Sequence, residues 1–533
     1  MKARRFLAVV LAVILVLLAL GGAASWLVWQ RSPLQLQHRV LTTPRAARFV
    51  PRDVDLSLYL LSDAEQPLAY ARAVAPPRRR AEARDALARL RDGAFAAAGL
   101  DYPGELAGWL GPETGLWLLA GDDRTPAGWV LALSSRDGDG ARRFLQRFWQ
   151  TRSLAGTSLQ VSSYRGMGLI SGRGALLGSQ PVPIATALIN DDLVLLASGR
   201  GPLEQALDVS QIDELNQGAD PDFQRSLERL GEGALLVTAR PPALDDWLGG
   251  GWPGAGSLVA ALRPQGAHLL VDGWLAPAPG GDDESLAGFP AAGATTAAAT
   301  SAAEALLADV RGEAASLALL QNPAHWPQAW QARLQPWLIA GPGRPLEPLP
   351  ARVAAAAEGP LLVLRSAGGW LLGSPEGSPD PAALEADLAR DGLIAAPLEL
   401  DGERVQVWTR LQAASGRRGA PSEQLQATLA AARREQDGRA WWSDSLDTLS
   451  QQRQSRQGPR PLLAGLAALD LPAAPLRWAL AAGPAQELLP GWTPWRLLSA
   501  LAGEPLAEPV QGLGLALQSE DGALHLRARL SYG

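Results

Sequence analysis

The chain has 533 residues, of which 47% are hydrophobic and 19% charged, and its formal net charge is −6. That balance suits globular domains and leaves the chain as a whole without a basic footprint for nucleic acid. It contains no cysteine, which excludes disulfides, thiol catalysis, iron–sulfur clusters and Cys-type zinc sites. Lys2 is the only lysine. A P-loop, a pyridoxal phosphate Schiff base and a Ser-x-x-Lys enzyme each need one, so the body of the chain supports none of them.

Lys2, Arg4 and Arg5 precede an unbroken apolar stretch from Phe6 to Trp29, in which Ser25 is the only hydroxyl. About 20 such residues cross a hydrocarbon core as a helix. Trp26 and Trp29 lie at the far end, where indoles favour the interface. The stretch is longer than a secretory h-region, and no cysteine follows it for lipid attachment. We therefore expect an uncleaved transmembrane anchor over 1–30 that contacts the lipid bilayer. The expected topology is single-pass, N-terminus cytoplasmic, with the body in the periplasm or thylakoid lumen. A polar stalk follows over 31–48, with Pro33 and Pro44.

A first unit is expected over 49–277. Val54, Leu56, Leu58 and Leu60 alternate with polar residues as a strand, and a helix is predicted from Arg78 to Ala98. Strands follow at 116–120 and 129–133, and Asp139 is placed to cap a helix carrying Phe144, Leu145, Phe148 and Trp149. Hairpins are predicted near 158–170 and 184–198, a helix over 221–230, a strand over 234–239 and a closing hairpin over 256–276. Residues 278–303, rich in Ala, Gly, Pro and Thr, read as an exposed linker. The stretches 341–359, 411–421 and 450–461 also read as loops.

The second half, 304–533, repeats the order of the first. Gly128-Trp129 is matched 241 residues later by Gly369-Trp370, and Asp139 by Asp380 at the same spacing. Phe223, Leu227 and Leu230 match Leu462, Leu466 and Leu469. Such spacing points to a tandem duplication. It predicts an α+β fold: an N-terminal transmembrane helix, then two tandem, duplicated units of antiparallel sheet with helices packed on one side. The second half shows no clear partner for the 184–198 hairpin.

The order of motifs in the first half resembles a known family. Trp109-Leu110-Gly111 stands ahead of an apolar strand, and the Trp129–Leu133 strand leads to the Phe144 helix. The Tyr164-Arg165-Gly166 and Asn190-Asp191-Asp192 turns follow, then a helix with Leu203 and Leu207. This arrangement resembles the cyanobacterial membrane-anchored family of unknown function, domain of unknown function numbered 3352. The likeness covers 49–275 best and the second half loosely. It implies a bacterial envelope or thylakoid setting and brings no activity or catalytic residue with it.

No complete catalytic motif stands in the sequence. His38, His268, His325 and His525 are too far apart for a metal-ligand spacing. Gly249, Gly251 and Gly254 fit G-x-G-x-x-G, but Pro253 interrupts them and no helix pattern follows. The doublets Asp122-Asp123 and Asp191-Asp192 fall in turns, where Asp bonds its own backbone; Asp245-Asp246 is a third. Arg72, Arg78, Arg79, Arg80, Arg84, Arg89 and Arg91 form a basic run, partly offset by Glu82, Asp85 and Asp92. It reads either as a solvated helix face or as a contact for anionic headgroups. Of the 19 tryptophans, Trp326, Trp330 and Trp337 are candidate contacts for a partner or membrane, with core packing as the plainer reading.

The candidate contact set is thus Trp326, Trp330, Trp337, Arg78, Arg79 and Arg80. We expect a scaffolding or binding protein, not an enzyme, with no cofactor and no metal. Its partners would be the bilayer and another membrane or envelope protein. The alternatives are an extracytoplasmic hydrolase using carboxylate or Ser-His chemistry, and a protein that handles lipid or another apolar ligand.

Overall fold

The structure, a computed structural model, describes residues 32–532 apart from 122–126, 155–157, 176–180, 248–251, 253, 279–287, 292–295, 341–347, 414–424 and 456. These residues divide into two compact units. One comprises the chain up to Arg52, Leu58–Leu236 and Ala261–Ala267. The other comprises Asp53–Ser57, Val237–Ala260 and His268–Gly533.

In the first unit the strand ladder begins with Leu110–Leu119 against Gly128–Ser135. It continues through Leu193–Ala197, Pro181–Ile189, Met167–Ala175 and Gln160–Tyr164, each antiparallel to the last. In the second unit Pro360–Ser366 and Gly369–Pro375 lead to Arg439–Ser443, Leu425–Gln436, Glu403–Ala413 and Leu393–Leu400 in the same succession. Ser316–Gln321 lies between Pro360–Ser366 and Leu476–Ala481. From there the ladder passes through Val510–Glu520 and Ala523–Tyr532 to His268–Pro277.

The turns explain why these strands fold back on themselves. Arg165-Gly166, Asp401-Gly402, Asp437-Gly438 and Asp521-Gly522 all have both residues at positive φ. That is the type I′ geometry whose twist matches paired strands, and glycine is its natural second residue. The helix Pro221–Leu230 is equally local in origin. Asp220 caps it by accepting from the Asp222 N–H, Pro221 opens it, and Gly231 at φ 68° ends it. Phe223 and Leu227 are its buried stripe.

Each unit has its own core. In the first, Phe144, Leu145, Phe148 and Trp149 of the helix Gly138–Leu154 pack with Leu131, Leu133, Ile184, Val194 and Leu196. Phe148 meets Trp149 edge-on at 5.2 Å, and the Arg152 guanidinium lies 3.5 Å from the Phe148 ring centre. In the second, Leu317, Leu319, Leu362, Leu364, Leu371 and Trp441 pack beneath Leu449, Leu462 and Leu466 of two helices.

The expected architecture needs correction. Twenty strands among the described residues are joined in one mostly antiparallel sheet with helices, not in two sheets that follow the halves of the sequence. The last strand of the first half, His268–Pro277, pairs with Ala523–Tyr532. An otherwise open edge there finds its backbone partners far along the chain. All five residues of Leu193–Ala197 and all six of Ser316–Gln321 are buried, so these strands are covered on both faces. The N-terminal transmembrane helix is also unsupported: among the described residues no helix is long and apolar enough to cross a membrane. The apolar stretch from Phe6 to Trp29 lies outside them.

Several local expectations change as well. Asp139 lies within the first turn of its helix and not ahead of it. The 278–303 segment is partly structured: Phe289 is buried, and the helix Ala297–Asp309 starts at a Thr296 cap and buries Ala303, Leu306 and Leu307. An alanine-rich stretch is a strong helix former once one side has something to cover. The loops expected at 341–359 and 450–461 contain the helices Pro348–Ala356, Leu446–Gln454 and Arg460–Ala467. Leu425–Gln436 and Arg439–Ser443 form a hairpin in the place that 184–198 takes in the first half, a partner the sequence did not show.

The first core yields a test. Phe148→Ala should destabilise its unit by about 3–5 kcal/mol, the cost of a large buried aromatic. The control Val161→Ala, 78% exposed, should stay within about 0.5 kcal/mol. Urea unfolding followed by tryptophan fluorescence would measure both.

Candidate functional site

Two clusters concentrate the polar chemistry of the described residues. The first is the ladder between His268–Pro277 and Ala523–Tyr532. Trp274, Asp272, Leu270 and His268 stand opposite His525, Arg527, Arg529 and Ser531, so all eight share one face. His525 Nε2 donates to Asp272 Oδ1 at 2.6 Å, and Arg527 Nη2 donates to Asp272 Oδ2 at 2.9 Å. The His525 ring stacks on Trp274 at 4.4 Å. Its Nδ1 is then free to accept from Gln518 Nε2 at 3.4 Å. Burial alone would raise the Asp272 carboxyl. The His525 hydrogen bond and the Arg527 charge outweigh it and hold the group below the usual carboxylate range.

The other end of the same ladder carries a second pair, His268 Nδ1 with Ser531 Oγ at 3.0 Å. Burial, with the nearby Arg529 charge, lowers the His268 pKa. An acid–histidine pair and a serine–histidine pair thus occupy one strand face, but they do not converge. The two histidines are six register steps apart, about 20 Å at ~3.3 Å per residue. Arg527 and Arg529 extend past them, donating to the Leu469 and Ala468 carbonyls at 3.3 and 3.4 Å. Those carbonyls end the helix Arg460–Ala467, where cations are favoured.

The second cluster lies in the first unit and includes one of the arginines singled out from the sequence. The helix Gln66–Val74 stops where Pro76 and Pro77 deny it further hydrogen bonds. A short turn, Pro77–Arg79, reverses the chain into the helix Arg80–Ala97. The 3-10 turn Pro33–His38 is tied to the first helix through Tyr70, whose hydroxyl accepts from Gln37 Nε2 at 2.9 Å and donates to the Gly266 carbonyl at 3.0 Å. These elements enclose an open groove of about 460 Å³, lined by Pro33, Glu65, Leu68, Ala69, Arg72, Ala73, Arg80 and Arg84. Leu68, Ala69 and Ala73 supply apolar lining, and three guanidinium groups border it.

The charges of this groove do not cancel. Glu65, its only lining carboxylate among the described residues, is engaged by Arg91, which also lies 3.9 Å over the Tyr102 ring. Arg84 has only the exposed Asp85 at 3.8 Å. Arg72 and Arg80 make no ion pair among the described residues, and Arg80 Nε donates only to the Ala75 carbonyl at 3.5 Å. A groove of equal volume in the second unit shows the contrast. Glu358, Asp380 and Asp387 line it, and its one arginine, Arg352, already pairs with Asp391 at 2.6 Å.

The remaining sequence candidates lie elsewhere. Arg78 and Arg79 are exposed on the turn between the helices but do not line the groove. Trp326 and Trp330 are core residues, at 5.4 and 4.9 Å from Phe289, so their i, i+4 spacing faces inward; Trp337 is exposed. Asp191 is held by Arg142 and Asp192 by Arg45, as surface ion pairs at a turn. Asp122-Asp123, Gly249 and Gly251 lie outside the described residues. Sequence reasoning placed Arg72 and Arg84 in the basic run without separating them from their neighbours. The usable signal was the Arg80/Arg84 i, i+4 spacing directly after the Pro76-Pro77 break.

The ladder yields a pH test with two sources that both lose stability on acidification, in different pH windows. The Asp272 carboxyl is lowered, so its stabilisation is present above the unfolded value of about 3.8 and is lost as pH falls through the folded value. The His268 pKa is lowered, so the folded state resists protonation and stability declines as pH falls below about 6.5. Asp272→Asn should cost about 1–3 kcal/mol at pH 7, because it removes the carboxylate charge and leaves only one acceptor oxygen for the two donors His525 and Arg527. It should also remove the acid step below pH 4. His268→Gln should flatten the decline between pH 6.5 and 5. Urea midpoints measured across pH 3–8 would check both.

Comparison with known proteins adds a family and little else. No curated protein matches the chain. Two crystal forms of TP0453 are similar over part of it. Form I is 9% identical, covering 44% of this chain and 78% of that one with a TM-score of 0.27. Form III is 11% identical, covering 45% and 82%, also with a TM-score of 0.27. The model of a family described as a protein of unknown function (DUF3352) matches residues 9–531, nearly the whole sequence. The chain belongs to that family.

Proposed function

We propose that this protein works by binding, as a scaffold or receptor for an anionic partner, and that the arginine-bordered groove of the first unit is its contact site. The observation that supports this reading is the uncancelled charge. Arg72, Arg80 and Arg84 line one concavity, two of them without an ion-pair partner among the described residues. Guanidinium groups left unpaired around a groove suit carboxylate or phosphate oxygens. The proposed partner surface is a membrane bearing anionic headgroups, and the proposed setting is extracytoplasmic. The separation of the acid–histidine and serine–histidine pairs supports a binding role over hydrolysis by a triad, whose members must lie within hydrogen-bond reach.

The test compares vesicles of phosphatidylglycerol with vesicles of phosphatidylcholine, using the full chain. Each arginine near an anionic surface contributes about 1 kcal/mol, so three give a preference on the order of 100-fold. The triple variant Arg72→Gln, Arg80→Gln, Arg84→Gln should lose that preference while keeping any charge-independent binding. An undiminished preference in the variant would refute the reading.

A further inference from the structure

We infer that the groove holds one molecule of a single-chain anionic amphiphile, with its headgroup among Arg72, Arg80 and Arg84 and its chain along Pro33, Leu68, Ala69 and Ala73. This rests on the binding reading above and names the ligand class for the same site. Three features point to a bound molecule in addition to a flat lipid surface.

The site is concave, whereas contact with a headgroup plane needs only an exposed basic patch. Arg78 and Arg79 supply such a patch on the turn without lining the groove. At about 460 Å³ its volume falls in the lower half of the ~300–1,000 Å³ range of small-molecule sites. One acyl chain suits that volume better than two.

Polarity within the groove is segregated. Ala69 and Ala73 are four residues apart on the helix Gln66–Val74, and Leu68 is buried beside them. Their short side chains leave room between the helices, where longer ones would fill it. Arg72 stands on the same helix, and Arg80 and Arg84 face the groove from consecutive turns of the next. An apolar strip bordered by cations matches a chain with a charged end.

The charge is also fixed in sign. Glu65 is the lining acid, and Arg91 already neutralises it. The groove therefore favours an anion over a zwitterion, and guanidinium accepts a carboxylate or a phosphate headgroup equally.

The experiment uses the full chain and a dansyl-labelled fatty acid below its micelle concentration. Competitors are oleate, lysophosphatidylglycerol, lysophosphatidylcholine and inorganic phosphate. One saturable site should be displaced by the first two and at least tenfold less well by the last two. The relative strength of oleate and lysophosphatidylglycerol identifies the headgroup. Arg72→Gln with Arg80→Gln should weaken binding at least tenfold. Ala69→Trp fills the groove without changing its charge. It should weaken the amphiphile at least tenfold, with circular dichroism confirming the fold of each variant. Vesicle preference without a saturable monomer site, no effect of Ala69→Trp, or competition by phosphate equal to that of lysophosphatidylglycerol would each overturn the inference and spare the binding reading. Loss of both vesicle preference and monomer binding in the wild-type chain would refute the two together.

Discussion

Eight cross-strand pairs between His268–Pro277 and Ala523–Tyr532 bring together segments some 250 residues apart in sequence. Closing so long a loop is entropically unfavourable, so the ladder must recover stability from what it buries. On one face it places an aspartate between a histidine and an arginine, with an indole stacked over the imidazole. Removing any one member leaves a charge or a donor without its partner, which is why such networks hold a register firmly. The same face extends through Arg527 and Arg529 to the carbonyl end of the helix Arg460–Ala467. Strand pairing, helix placement and the buried ion pair in the second unit thus depend on a single register. A slip of one residue would turn Asp272 to the opposite face, among Leu524, Leu526, Ala528 and Leu530 of the neighbouring strand, and bring Leu269, Val271 and Leu275 to the face it left.

The groove of the first unit obeys the opposite electrostatic logic. In the ladder Arg527 is committed to a carboxylate and a carbonyl. In the groove Arg72 and Arg80 have no carboxylate partner among the described residues, and Arg84 has Asp85 at long range. The difference follows from position. Ladder arginines are partly buried and would be costly without partners, whereas groove arginines are exposed and water can solvate them until a ligand arrives.

Elements set by short-range chemistry were legible in the sequence. The helix Pro221–Leu230 has its cap, its opening proline, its apolar stripe and its closing glycine within twelve residues. The Arg165-Gly166 turn was placed by the same kind of signal. Elements whose character depends on neighbours were not. The helix Gln66–Val74 is nine residues long and buries only Leu68 and Tyr70, too little for a periodic signal. The strand Leu393–Leu400 has a single strand partner and is largely exposed, so its alternation is weak. Trp326 and Trp330 could be read from the sequence either as core or as contact residues, and the partner that buries them, Phe289, comes from a segment read as linker.

By itself the sequence determined much of the alternation of strands and helices, some of the turns, the absence of thiol and lysine chemistry, and membership in a family. These depend on residue type and on neighbours within a few positions. Tertiary structure alone decided that the closing strand of the first half pairs with the end of the chain. It also decided that two histidines on one strand face stay apart, and that Arg72, Arg80 and Arg84 border one groove while Arg78 and Arg79 do not. Such outcomes depend on which distant surfaces meet. That is settled by burial and backbone pairing summed over the whole fold, a quantity no local window contains.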